Sequence, residues 1–308
     1  MTIPIWELIK DADIMINNLL LTRTMLKKLP NKNDIWVDSG GYQILIRNLR
    51  IGIDEIIRRY KIINANYYIS LDIPCSDPLS FRDELLNVNI NNYFYIRKKL
   101  PDKLVIPVVH LYPSKYLIKA VEIYVGNGAN IIAYGGIVPP MIRKTRLRLM
   151  SIIGFIIIRR LFPKVKIHVL GIGSYVMTRI FRDLGANSLD TSTWRVKAAY
   201  GHVIIPGLGE RYVGNRKLKF GTPYATRKEL NLLYEELKRT NFPLINKFWD
   251  LLKTFKGRAL VNAWVITKVD GEISRKSSFY QLYRKVMYYK TAPIDDLIKL
   301  YDEATMNK

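Results

Sequence analysis

The 308-residue chain has one cysteine, Cys75, and three histidines, His110, His168 and His202. A single thiol excludes an intramolecular disulfide and any zinc site built on several thiolates. The histidines stand far apart without metal-ligand spacing, so neither a metal nor a cofactor is expected. Long apolar runs are missing too. None reaches the roughly 18 residues that a membrane span needs, and the most apolar stretch, Leu147 to Phe162, is interrupted by Arg148, Arg159 and Arg160. The N-terminus, Met1-Thr2-Ile3-Pro4-Ile5-Trp6-Glu7, lacks a basic segment followed by an apolar core. That argues against a secretory signal and for a cytoplasmic location without a membrane partner.

Acid is the other scarcity. Against 49 Lys+Arg stand 26 Asp+Glu, for a formal net charge of +23. From Ile123 to Arg182 there is no acidic residue, while Arg143, Lys144, Arg146, Arg148, Arg159, Arg160, Lys164, Lys166, Arg179 and Arg182 are basic. Such a field captures polyanions without sequence preference. A solvated basic face, or attraction to acidic lipid, reads the same charges differently. The length of the acid-free stretch favours nucleic acid.

What is present is a rhythm of strand ends. Short β-branched runs stop at Asp38-Ser39-Gly40-Gly41-Tyr42-Gln43, Leu71-Asp72-Ile73-Pro74, Val109-His110, Gly135-Gly136-Ile137-Val138-Pro139-Pro140, Leu170-Gly171-Ile172-Gly173 and Asp190-Thr191-Ser192. The anchor positions lie 34, 38, 25, 36 and 19 residues apart, a spacing that suits strand–helix units. Strands are expected near Asp13–Asn17, Ile35–Asp38, Tyr67–Asp72, Leu104–Val109, Asn130–Tyr134, Lys166–Leu170 and Ser188–Asp190. Their continuous apolar cores suit parallel strands covered on both faces. Helices are expected at Asp54–Tyr60, Phe81–Leu100 and Lys115–Tyr124. The fold expected is an α/β, (β/α)8 TIM barrel, which gathers strand C-termini on one face where active sites are built. An eighth strand at Leu260–Ile266 is a guess. Residues 1–225 form the expected core. Residues 226–308 form a mostly helical, basic region that completes or flanks it, with helices at Lys228–Lys238, Leu244–Phe255 and Ser278–Tyr289. Between them Trp194–Tyr200 reads as a short helix, and His202–Ile205 with Lys217–Phe220 as a hairpin.

Three carboxylates, Asp38, Asp72 and Asp190, stand at strand ends. One such acid is often only a helix N-cap; three around one mouth point to chemistry. A carboxylate pair suits displacement at an anomeric carbon, one acid forming a covalent sugar ester and the other moving protons. The double glycines serve turns, or expose backbone N–H and C=O to a planar ligand. Tyr42 is either core or a stacking face for a base.

The run Asp38-Ser39-Gly40-Gly41-Tyr42-Gln43 resembles the DSGG[FY]Q signature of the queuine/archaeosine tRNA-guanine transglycosylase superfamily, and the later motifs follow in that superfamily's order over about residues 30 to 220. The resemblance implies a barrel that exchanges guanine for a 7-deazaguanine such as preQ0 without cleaving the backbone. It implies Asp190 as nucleophile on C1′ and Asp38 as acid/base. Asp72 would accept from the N–H groups of the base, the Gly135-Gly136 backbone would meet its carbonyl, and Tyr42 and Leu170, with Gly171 beside it, would sandwich the ring. Ser39 would orient the pocket. Phosphates flanking a flipped nucleotide would be held by Arg143, Lys144, Arg146, Arg195 and Lys197.

Three departures bear on the substrate. No cysteine follows Asp190 to build the superfamily's zinc site, His110 stands where a glutamine is usual, and 308 residues leave no room for extra C-terminal RNA-binding domains. A short, zinc-less, basic member resembles the DNA-guanine transglycosylases of viral and bacterial DNA modification, so DNA is the expected partner, in the host cytoplasm if the source is viral. A minimal tRNA enzyme and a catalytically silent nucleic-acid-binding barrel are the alternatives. The oligomeric state is open, a homodimer included.

Overall fold

Runs rich in Ile, Val and Tyr become short parallel strands separated by helices. The computed structural model describes residues 5–30, 34–142, 146–214, 221–277 and 279–306. Within these, the side chains of Arg23, Tyr42, Leu45, Ile46, Ile142, Thr305 and Met306 stand outside the description. The chain divides into two compact units. The larger comprises Asp13–Gly171, Leu184–Ser188 and Val286–Lys308, and the smaller Met1–Ala12, Ile172–Asp183 and Leu189–Lys285.

The strands are β1 (Ile14–Asn17), β2 (Ile35–Asp38), β3 (Tyr67–Ile69), β4 (Val105–Ile106), β5 (Val108–Val109), β6 (Ile131–Tyr134), β7 (Lys166–Val169), β8 (Ser188–Leu189), β9 (His202–Ile205) and β10 (Gly209–Tyr212). In the larger unit β1, β2, β3 and β4 pair side by side and parallel, as do β5, β6 and β7. β8 completes the second sheet's order, and the fold is mixed α/β with parallel sheets.

The expected single strand Leu104–Val109 is two, because Pro107 interrupts it. Proline has no N–H to give a ladder, but its carbonyl accepts from Ala133 N at 2.8 Å. The run pairs with β3 before the proline and with β6 after it, so one stretch of chain joins the two sheets. Expected strand ends elsewhere fall within one to three residues of those observed.

The sheets wrap a common apolar core of Trp36, Ile69, Ile106, Val108, Ile131 and Ala133, with Met15, Tyr67 and Leu170 against it. Trp36 on β2 stacks on His168 of β7 with ring centroids 4.4 Å apart. Four strand spacings separate β2 from β7, which in a flat sheet is about 19 Å. The sheet therefore curls until side chains from distant strands meet. On its outside the helix Arg146–Leu161 is buried along most of its length and packs on Ile294–Met306.

In the smaller unit the central element is the helix Phe255–Lys268, buried at every position from Gly257 to Ile266 except half-buried Leu260. It occupies the guessed eighth strand Leu260–Ile266, and this is a correction. A helix enclosed by protein reads as a continuous apolar run, which period alone cannot separate from a buried strand. Thr254 caps it by accepting from Gly257 N. Buried Asn262 ties it to the hairpin, accepting from Ile204 N at 2.9 Å and donating to His202 O at 3.1 Å. That hairpin pairs β9 with β10 antiparallel; the expected partner segment, Lys217–Phe220, lies outside the described residues. The loop between them is short, and Gly207 and Gly209 both take positive φ. Among the described residues no helix is long and apolar enough to cross a membrane.

Candidate active site

Side chains two apart on a strand share a face. Met15, Trp36, Val108 and Ala133 face the core of the larger unit. Two residues further along each strand stand Asn17, Asp38, His110 and Gly135, and two beyond His168 stands Leu170. The pleat thus aims these positions along the inner face of the curled sheet, at the C-terminal strand ends.

Asp38 Oδ2 accepts from Asn17 Nδ2 at 2.9 Å, and the same amide donates to Gln43 Oε1 at 3.0 Å. Asn17 Oδ1 in turn accepts from Leu19 N, which fixes which end of the amide faces the acid. Next in the chain, fully buried Ser39 donates to Asp72 Oδ1 at 3.3 Å and accepts from Gly41 N at 3.2 Å. Gly41 lies so close that a Cβ there would sit 2.4 Å from the Asp72 carbonyl oxygen. The second glycine of the first motif therefore has a packing reason: it brings the helix Gly41–Ile46 directly onto the Asp72 backbone.

Asp72 Oδ2 lies 3.0 Å from His110 Nε2, with the histidine 1% exposed. Neither imidazole nitrogen makes a hydrogen bond. The contact with Asp72 is close but outside hydrogen-bond alignment. Buried unsatisfied nitrogens are costly, and a small rotation or a ligand would satisfy them. Behind the ring, Gly136 has φ +71°, and a Cβ on it would meet Cys75 O at 2.3 Å and His110 Nδ1 at 3.0 Å. Only glycine fits this turn. Asp38, Ser39, Asp72, His110, Gly135 and Gly136 thus form one continuous polar rim. A cavity of about 320 Å³ abuts it at Asp72 and Gly41, with Ile44, Leu49, Ile51 and Pro74 on its apolar walls.

Burial, then the negative charges of Asp38 and Asp72, pushes the Tyr60 phenol well above its usual range. Tyr60 stays neutral and donates to Ile69 O at 2.6 Å. Burial also raises the Cys75 thiol, so the only cysteine is not a ready nucleophile.

The remaining expected residues are placed unevenly. Leu170 is half-buried against the core, and Gly171 follows with positive φ beside Val138. Tyr42 lies in the backbone of the helix Gly41–Ile46, but its side chain is outside the description. Asp190 belongs to the smaller unit, half-buried just after β8. There Thr191 Oγ1 accepts from Thr193 N at 2.9 Å, Trp194 Nε1 donates to Thr191 O at 3.0 Å, and the backbone of Gly173 lies against Thr191.

Of the expected phosphate-binding cations, Arg143 and Lys144 lie outside the described residues. Arg146 donates to Glu303 O at 2.8 Å, and Lys197 pairs with Glu210 at 2.7 Å. Arg195 is exposed. Much of the acid-free stretch is engaged by the chain itself. Arg148 donates to Met141 O, Arg160 to Ala292 O, and Arg159 to the carbonyls of Phe162, Pro163, Val165 and Gly185. Among the described residues no cluster of three or more His, Cys, Asp or Glu is placed to hold a metal ion.

Sequence reasoning missed Asn17, Tyr60 and Asn89. Asn89 is 2% exposed and holds both the N–H and the carbonyl of Ile73 beside Asp72, at 2.7 and 3.1 Å. The polar ending of β1, Ile16-Asn17-Asn18, was the signal for the first. Tyr60 and Asn89 sit inside helical patterns that carry no such mark.

No family model matches the chain. Over 282 residues it is 32% identical to "Uncharacterized protein 306" of Sulfolobus islandicus rod-shaped virus 1, covering 90% of this chain and 85% of the viral protein. The chain belongs to the family of that viral protein. The family's shared length takes in most of both units, so the likeness extends well past any one motif.

Proposed function

We propose that the protein is a nucleic-acid guanine transglycosylase, exchanging guanine for a 7-deazaguanine base in DNA. The observation that carries the reading is the position of the six motifs. Each falls at or just beyond the C-terminal end of a strand, and four of them contribute to the polar rim. The curl of the sheet supports the (β/α)8 barrel that this reading implies. The cavity beside Asp72 is within the range of small-ligand pockets, and its apolar walls suit the faces of a bicyclic base. Membership of a virus-encoded family agrees with viral DNA modification.

In this mechanism an Asp190 oxygen attacks C1′ of the target nucleotide. The C1′–N9 bond breaks with its electron pair going to guanine, and Asp38 donates the proton that lets neutral guanine leave. The incoming 7-deazaguanine returns a proton to Asp38 as its N9 attacks C1′, which expels Asp190 as the carboxylate and restores Asp38 as the acid. Asp72 accepts from the N–H edge of the base, held by Ser39. His110 supplies a ring nitrogen that can donate or accept according to tautomer, a more adaptable partner than an amide.

Incorporation of labelled guanine into duplex DNA and into tRNA tests the reading. Labelling of DNA that is lost in Asp190→Ala, together with a trapped covalent nucleotide adduct in the parent protein, is the expected outcome. Labelling of tRNA alone would move the substrate to RNA. Binding without exchange on either polymer would leave a silent binding protein.

A further inference from the structure

The smaller unit carries exposed aromatic side chains that the proposed exchange does not use. Tyr200, at the end of the helix Thr193–Ala199, is 52% exposed, Tyr224 51% and Trp249 37%. They are not scattered. Val213 N donates to Gly201 O at 2.9 Å, which brings the backbone beside Tyr200 onto the end of β10. Tyr212 of β10 meets Tyr224 edge to face at 5.4 Å, and Ala225 N donates to Tyr212 O. Two residues on, the Arg227 guanidinium sits 4.0 Å above the Trp249 ring. Tyr200, Tyr224, Arg227 and Trp249 thus lie along one connected path within one unit, with Tyr212, only 2% exposed, packed beneath it.

Charge along this path is one-sided. Its acids are each matched to a cation: Glu210 to Lys197, Glu229 to Arg211 and Asp250 to Lys253. Exposed Arg195 and Lys228 have no acidic partner among the described residues. The surface therefore offers π-faces and net positive charge together. Exposed aromatics on a protein surface are ordinary taken singly. Interleaved with cations along one path, they match the chemistry of unpaired nucleotides, whose bases stack on aromatic rings or guanidinium planes while cations track the phosphates.

We infer that the path from Tyr200 through Tyr224 to Arg227 and Trp249 is a stacking surface for unpaired nucleotides. It deepens the proposed function, since a base must leave its helix to be exchanged, and it names the surface that would hold the neighbouring strand. The stacking is tolerant of base identity, because every base has a π-face.

Fluorescence anisotropy of the full chain with labelled oligodeoxythymidine and with oligouridine tests it without any exchange chemistry. Trp249→Ala is expected to weaken binding by about 5- to 150-fold, the range of one lost base stack, and Tyr200→Ala combined with Tyr224→Ala by at least as much. The dependence on salt should stay unchanged. Trp249→Phe should bind within about threefold of the parent, and Arg195→Ala should lower the salt slope by about one. Tighter binding of the DNA strand assigns the surface to DNA, and of the RNA strand to RNA. Thermal melts on the same samples report folding. If an alanine variant unfolds, the exposed pair Arg195→Glu and Lys228→Glu takes its place, with at least tenfold weaker binding expected. Parent-like affinity in the folded variants, or no binding by the parent protein, would overturn the surface. Asp190→Ala should bind as the parent does. Loss of exchange there with binding intact separates the surface from the catalytic reading, and either can fail alone.

Discussion

The carboxylates at the rim are held by groups with no chemistry of their own. Asn17 uses one amide to orient Asp38 and Gln43, and Ser39 links the Gly41 backbone to Asp72. The arrangement depends on close backbone approach at Gly41, where a methyl group would strike the Asp72 carbonyl. Gly41→Ala must therefore push the segment 71–74 away or distort the helix Gly41–Ile46. A destabilisation of about 1–3 kcal/mol in urea unfolding is expected, the range for overpacking. Exchange activity should fall further than stability does, because Asp72 moves with its backbone. Unchanged activity in a folded Gly41→Ala protein would show that the Asp72 position is not needed.

Among the elements, the helix Arg227–Arg239 has the most complete local explanation. Thr226 accepts from Glu229 N, and the Glu229 side chain returns a bond to Thr226 N at 2.8 Å, a capping box. Burial tends to raise the Glu229 carboxyl. The Thr226 backbone bond and the Arg211 guanidinium outweigh it and hold the acid below its usual 4.5. A carboxyl depressed in the folded state adds stability above its unfolded value and loses it as pH falls through the folded value. Glu229→Gln should therefore cost stability near neutral pH and flatten the acid-side decline below about pH 4.5. Thr226→Ala should cost about 1 kcal/mol. Denaturant curves at pH 7 and pH 3.5 check both, and a Gln variant with the parent's acid-side slope would contradict the assignment. Elements like this were legible in the sequence, because caps, acids in the first turn and glycine stops leave local marks. The parallel strands were legible by their β-branched runs. The helix Phe255–Lys268 was not, since enclosure on every side erases the period by which a helix is recognised.

On the scale of the whole molecule, the 49 Lys+Arg overstate how many side chains are placed to grip a phosphate. Arg146, Arg148, Arg159 and Arg160 donate to main-chain carbonyls, and Arg179 is shared between Asp183 and Asp270. Binding of single-stranded DNA should weaken by only about 10- to 100-fold between 50 and 200 mM salt, the loss for some three to five phosphate contacts. A slope implying eight or more contacts would show that those arginines turn outward on binding. The sequence displayed the charge, but only folding revealed where it was spent. The rim was legible in the sequence through its motifs, whereas the orienting amide of Asn17 and the phenol beneath the carboxylates needed tertiary contacts to be seen. The pleat that aims Asn17, Asp38 and His110 carries a constraint on evolution. Between Ile106 and His110 the inward direction is kept by counting in twos across Pro107, so inserting or deleting one residue there would turn the imidazole outward. Length differences within this viral family should therefore gather in the helices and connecting loops, and the short stretches leading into the rim should keep their spacing even where their apolar residues interchange.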